Sequence, residues 1–101
     1  MNNKEQLYYL VIAYHKNKYS TSNFCNQLTD IFYHHLEEND LEEKEYNLFM
    51  KLCEIADRYS EFDEDLLLSN VFLSESQFRF EFNKMINNFT EIMPNYNWKS
   101  L

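Results

Sequence analysis

Between Asp57 and Asp65 the chain reads DRYSEFDED, five carboxylates around one arginine and two aromatic rings. Carboxylates at this density do one of three things. They ligate a metal, they trade protons in catalysis, or they attract a cationic surface. Metal or acid–base chemistry needs partners of fixed spacing, and the natural candidates are His34 and His35 with Glu37 and Glu38. On a helix, adjacent residues point about 100° apart, and no HExxH or HxxxH spacing puts two ligands on one face. Glu38 with Glu42 is interrupted by a turn, and Glu42 with Glu45 lies in a first helical turn without a matching pair elsewhere. Both arginines, Arg58 and Arg79, follow all three histidines in the chain, which excludes the arrangement of small helical ribonucleases that place an arginine about five residues before a histidine. No catalytic residue, metal site or cofactor is expected.

Attraction of a cation is what remains. The 101-residue chain carries a formal net charge of -8, and its placement is uneven. From Glu37 to Asp65 there are twelve acidic residues against Lys44, Lys51 and Arg58, so the whole imbalance sits in the middle of the chain. Such a field repels nucleic acid and anionic membrane and draws a basic protein. Part of it is structural. Glu42, Glu43 and Glu45 fall where a helix is expected to begin and favour the positive end of its dipole, while Glu54 stands four residues before Arg58, the spacing of a helical ion pair. Glu54, Asp57 and Glu61 form a stripe at i, i+3 and i+7 that runs into Asp63, Glu64 and Asp65. One of these three can cap a short turn through Leu66 to Leu68, which leaves like charges crowded together at a cost in stability. Tyr59 and Phe62 inside this charged rim have the composition of a binding hot spot. The candidate partner-binding residues are therefore Glu54, Asp57, Tyr59, Glu61, Phe62, Asp63, Glu64 and Asp65.

What must hold them is an all-α fold. The chain contains no glycine and one proline, a poor supply for the hairpins of a sheet. Leu7, Leu10, Val11 and Tyr14 recur at helical spacing, predicting a first helix over about 3–17. A second, capped by Thr21 or Ser22, buries Phe24, Leu28, Ile31, Phe32 and His35 or Leu36. Asp40 with Glu43 has the form of a capping box opening a third helix that runs to about Tyr59. Its two apolar rows, Tyr46, Phe49, Cys53 and Ala56 beside Leu48, Leu52, Ile55 and Tyr59, imply neighbours on both sides and hence a central position. Ser74 with Gln77 caps a fourth helix carrying Phe78, Phe82, Met85, Phe89 and Ile92 and ended by Pro94. The expected architecture is a single domain over 1–93, an antiparallel four-helix bundle with one long loop, Ser60 to Leu73, between helices 3 and 4. Residues 94–101 form a C-terminal tail bearing Trp98. Cys25 and Cys53 are expected to be buried reduced thiols. The run Leu7 to Tyr14 lacks the flanks and cleavage site of a signal peptide, and no segment is long enough to span a bilayer, so the cytoplasm is the expected compartment. Tyr8, Tyr9 or Tyr96 can supply a dimer face, so the oligomeric state stays open.

The order of these elements resembles the bacterial self-protective immunity family typified by the colicin D immunity protein. LYYLVIAYHKNKYSTSNF leads from the first helix to the capped second, LCEIADRY closes the third, an acidic loop follows, and FLSESQFRFEFNKMI opens the last. The likeness covers about residues 5 to 90. It implies a small helical bundle that binds the C-terminal nuclease domain of a cognate toxin, a transfer-RNA nuclease in the known type. It also implies that the acids listed by position, Glu54, Asp57, Glu61, Asp63, Glu64 and Asp65, occlude the basic site that holds RNA phosphates, with no direct nucleic-acid or membrane contact. The competing expectation is a small acidic helical adaptor, or a nucleic-acid-mimicking inhibitor of a DNA-binding protein.

Overall fold

The computed structural model describes residues 1–68 and 70–93; Pro94 as terminator and the tail with Tyr96 and Trp98 lie outside the described residues. The fold is all-α. Four longer helices, α1 (Asn3–His15), α2 (Thr21–Asp30), α3 (Glu43–Arg58) and α5 (Glu75–Ile92), are joined by a π-helical turn (Ile31–His35) that extends α2 and by a one-turn α4 (Asp63–Leu66). No described helix is long and apolar enough to cross a membrane.

Capping chemistry sets the boundaries, and two of them differ from the sequence expectation. Ser20, not Thr21 or Ser22, caps α2 by accepting from the Asn23 amide at 3.1 Å, which frees Thr21 for the core. Asp40 does not open α3. Its carboxylate accepts from the Glu37 amide at 2.8 Å and from Asn3 Nδ2 at 3.0 Å, holding a turn in which Asn39 has φ 76. The helix starts after Glu42, whose amide donates to Glu45 Oε1 at 2.9 Å. Ser74 and Gln77 do form the expected box. At the end of α1 the missing glycine is replaced by Asn17, at φ 62. The Asn17 and Lys18 amides donate to the Tyr14 and Ala13 carbonyls at 2.9 and 2.8 Å, the paired bonds of a Schellman cap.

The most deeply buried helix is α1, while α3 has the neighbours on both sides that its apolar rows imply, packing on α2, the π turn and α5. From Leu7 to Tyr14 every residue but Tyr9 is buried, so the helix is apolar all round. The contiguous run that could be weighed as a signal core is thus the core of the protein. α3 buries one stripe, Leu48, Phe49, Leu52, Cys53 and Ala56, while Tyr46 is exposed and Ile55 and Tyr59 are half-buried. Tyr8 is fully buried, which removes it from any dimer face, and His35 is exposed rather than on the buried side of its turn.

Aromatic rings tie the helices together. Tyr14 stacks on Phe24 at 4.4 Å between centroids and meets Phe82 edge-on at 4.8 Å, and Arg79 covers the Tyr14 ring at 4.2 Å. Farther along, Tyr8 meets Phe49 at 5.2 Å, and Phe49 meets Phe89 at 4.9 Å. Such ring pairs add about 0.5–1.5 kcal/mol each beyond their area burial. The polar atoms on this seam are satisfied in series. Thr21 Oγ1 gives its proton to Glu75 Oε1 at 2.9 Å, so Tyr14 is the donor in its 2.9 Å bond to Thr21.

Cys25 and Cys53 are free and buried. Burial, with the Asp57 carboxylate adding to it, pushes each thiol up to about 12 from an ordinary value of 9.0. The unfolded chain loses these protons first as pH rises, so folding stability is expected to fall above about pH 9. A matching kinetic result is expected at pH 8: alkylation by iodoacetamide is slow in the folded protein and fast in denaturant. Thiol labelling at equal rates in both states would refute it.

Candidate functional site

The stretch from the last turn of α3 to Leu73 is built as a closed loop. The Leu73 amide donates to the Arg58 carbonyl at 2.7 Å and the Ser60 amide donates to the Leu73 carbonyl at 3.0 Å. These two bonds pinch the ends of the connection together beside the isolated bridge between Tyr59 and Leu73. Arg58 Nε donates to the Val71 carbonyl at 3.0 Å. Its guanidinium therefore braces the neck, and the expected ion pair with Glu54 does not form. A connection of this length with apposed ends is an Ω-loop, whose tip is presented by a fixed base.

Within the loop the acids divide by task. Asp65 Oδ2 accepts from the Ser60 hydroxyl at 2.6 Å, and the same Ser60 oxygen accepts from the Phe62 amide at 3.1 Å. That short network folds the start of the loop into α4. One carboxylate is thus used structurally, but not as the expected cap: no side chain caps α4, and Asp65 serves as the acceptor for Ser60. Glu61, Asp63 and Glu64 are exposed and form no ion pair among the described residues. On α3, Glu54 and Asp57 are exposed, and Asp57 Oδ2 accepts from the Tyr33 hydroxyl at 2.9 Å, linking the stripe to the π turn. Partial burial of the Tyr33 hydroxyl, then its bond to Asp57, raises the phenol above its ordinary range.

The two rings part company. Tyr59 is half-buried against Phe78, 6.0 Å between centroids, and burial followed by the Glu75 and Glu61 charges raises its phenol. Phe62 is 63% exposed. Close in sequence stand Leu67 at 85%, Leu68 at 59% and Val71 at 52% exposure. Large apolar side chains are exposed elsewhere too, Phe80 at 63% among them, but the four between positions 62 and 71 are the densest group among the described residues, and such a grouping marks an interaction site. Sequence reasoning missed the leucines and the valine. Their signal was available: Leu66, Leu67 and Leu68 follow one another, and three consecutive apolar residues on a single turn cannot all face one side. Between the loop base and α2 lies a cleft of about 260 Å³ walled by Ser22, Asn26, Tyr59, Ser60, Glu61, Phe62, Asp65 and Phe72.

Among the described residues no group of three or more His, Cys, Asp or Glu side chains could hold a metal ion. His34 is exposed, and His35 faces Asp30 at 3.3 Å. His15 is half-buried, and that desolvation, reinforced by Lys16 and Arg79, lowers its pKa. The site so assembled is a rigidly based loop with an apolar tip, flanked by unpaired carboxylates. It can bind a surface that is cationic at its rim and apolar at its centre.

The chain matches no protein-family model, no curated protein and no solved structure.

Proposed function

We propose that this chain is an immunity protein that binds a cognate bacterial toxin domain in the cytoplasm and neutralises it by covering a basic active site. The target is a nuclease, in the sense implied by the resemblance to the colicin D immunity type. The protein is a stoichiometric blocker, not an enzyme, and uses no cofactor. Its four longer helices make an antiparallel bundle that serves as the stand for the 60–73 loop.

The observation that supports this reading best is the exposed apolar set Phe62, Leu67, Leu68 and Val71 inside the acidic rim of Glu61, Asp63 and Glu64. Solubility alone accounts for acids but not for bare leucines beside them. A site evolved to grip polyphosphate offers lysine and arginine. The carboxylates steer it in and select the partner, and the apolar tip slows its release.

The test is co-purification with the C-terminal domain encoded by the neighbouring toxin gene, followed by association kinetics. Reversing Asp63 and Glu64 to lysine, with Asp65 kept because it holds Ser60, is expected to slow association about tenfold at low salt and flatten its salt dependence without lowering stability. Full protection of cells by this double variant would reject the loop as the contact. Capture of a DNA-binding protein instead of a nuclease would replace this reading with that of an acidic adaptor or nucleic-acid mimic.

A further inference from the structure

A second recess lies away from the loop, where the π turn meets the start of α3. It is a groove of about 450 Å³ with Phe32, Leu36 and Tyr46 on its floor and Glu37, Glu38 and Glu43 on its rim. Among the described residues no lysine, arginine or histidine lines it. Phe32 is buried, and Tyr46, 42% exposed, lies against it at 5.1 Å between centroids with 35° between the planes. The floor therefore offers one accessible aromatic face backed by another ring.

Helix electrostatics explain only one of the three rim charges. Glu43 lies in the first turn of α3, where a carboxylate is favoured. Glu37 and Glu38 are the reverse case. They directly follow the C-terminal end of the α2 and π-turn segment, where the negative end of the dipole disfavours an anion. None of the three carboxylates is in an ion pair among the described residues. The turn carrying them is nonetheless held firmly. Asp40 accepts from the Glu37 amide, and Asn3 Nδ2 bonds to Asp40 and, at 2.7 Å, to the His35 carbonyl. The Glu37 amide, and after it Asn3, keeps the Asp40 carboxyl below its usual range, so this brace persists into mild acid.

A planar cation with apolar faces matches an aromatic floor under a carboxylate rim better than a compact ammonium does. We propose that this groove receives an arginine side chain from an extended basic segment of a protein partner, its guanidinium stacked on Tyr46 and its N–H groups donating to the rim carboxylates. The site uses no residue of the 60–73 loop, so it stands or falls separately from the proposed function.

The test is an NMR titration of the full chain with a capped Gly-Ser-Arg-Ser-Gly peptide, its lysine counterpart, and its citrulline counterpart, which keeps the shape but not the charge. The arginine peptide is expected to shift the amides of Phe32, Glu37, Glu38 and Tyr46, the lysine peptide to do so more weakly, and the citrulline peptide not at all. Tyr46→Ala is expected to weaken binding roughly three- to fivefold while Tyr46→Phe retains it. Glu37→Gln with Glu38→Gln should weaken it by a similar factor, roughly threefold or more, with thermal unfolding unchanged in this variant and in Tyr46→Phe. Equal binding of the citrulline peptide, shifts confined to residues 61–65, or indifference to Tyr46→Ala would overturn the proposal. So would groove shifts that depend on protein concentration alone, the mark of a second copy, or on deletion of residues 94–101, the mark of the chain's own tail.

Discussion

Replacing Glu45 by alanine is expected to destabilise the protein by about 2–4 kcal/mol, a large share of the 5–15 kcal/mol by which domains of this kind are stable. The side chain is fully buried. Its Oε2 accepts from the Tyr8 hydroxyl at 2.7 Å and lies 3.3 Å from Lys4 Nζ, while Oε1 accepts from the Glu42 amide. Deleting the carboxylate leaves the buried Tyr8 hydroxyl without this acceptor and one of the first amides of α3 without its cap. Lys4 is about a third exposed and regains water, so its loss counts for little. Glu45→Gln keeps one acceptor oxygen, enough for the Glu42 amide, and puts an NH2 donor opposite the Tyr8 hydroxyl, so it is expected to cost less than the alanine variant, about 1–2 kcal/mol. Urea unfolding with an unchanged slope measures both. An alanine variant within about 0.5 kcal/mol of the parent would show that the buried carboxylate is not a tie between α1 and α3.

The second large effect is on binding. Phe62→Ala combined with Leu67→Ala removes two side chains that touch mostly water, so stability is expected to stay within about 0.5 kcal/mol of the parent. If the proposed function is right, affinity for the toxin domain falls by about 2 kcal/mol or more, roughly thirtyfold, with most of the change in the dissociation rate. The contrast with the charge-reversed variant is the diagnostic: one changes how fast the partners meet, the other how long they stay. Unaltered residence time in the double alanine variant would mean that the exposed leucine and phenylalanine lie outside the contact.

The helical class, the four longer helices and the Ser74 cap were legible because apolar spacing and capping chemistry are local. The deeper burial of α1 relative to α3 was not. A wide apolar stripe and an all-round apolar run both predict burial, and only packing decides which one is surrounded. Glu45 lies in the first turn of α3 as expected, but its burial was not legible for a related reason. A glutamate in a first helical turn ordinarily faces water, and nothing near it in sequence says that Tyr8, thirty-seven residues away, supplies a buried donor. Asp40 and Glu42 compete for the same capping role three residues ahead of a glutamate, and the turn at Asn39 decided between them by using the Asp40 oxygen elsewhere. In the loop, sequence located the acids and Phe62 but could not show that Tyr59 turns toward Phe78. The ring lies at the helix end, where a rotation of a few tens of degrees separates inside from outside.

The main-chain clasp formed by Arg58, Ser60 and Leu73 has an evolutionary corollary. A fastening made of peptide groups asks nothing of the side chains it encloses, so apart from Asp65 the tip can drift in sequence without disturbing the helices beneath. A lineage facing a new adversary could therefore rewrite positions 61–68 as an interchangeable cartridge and inherit the chassis untouched.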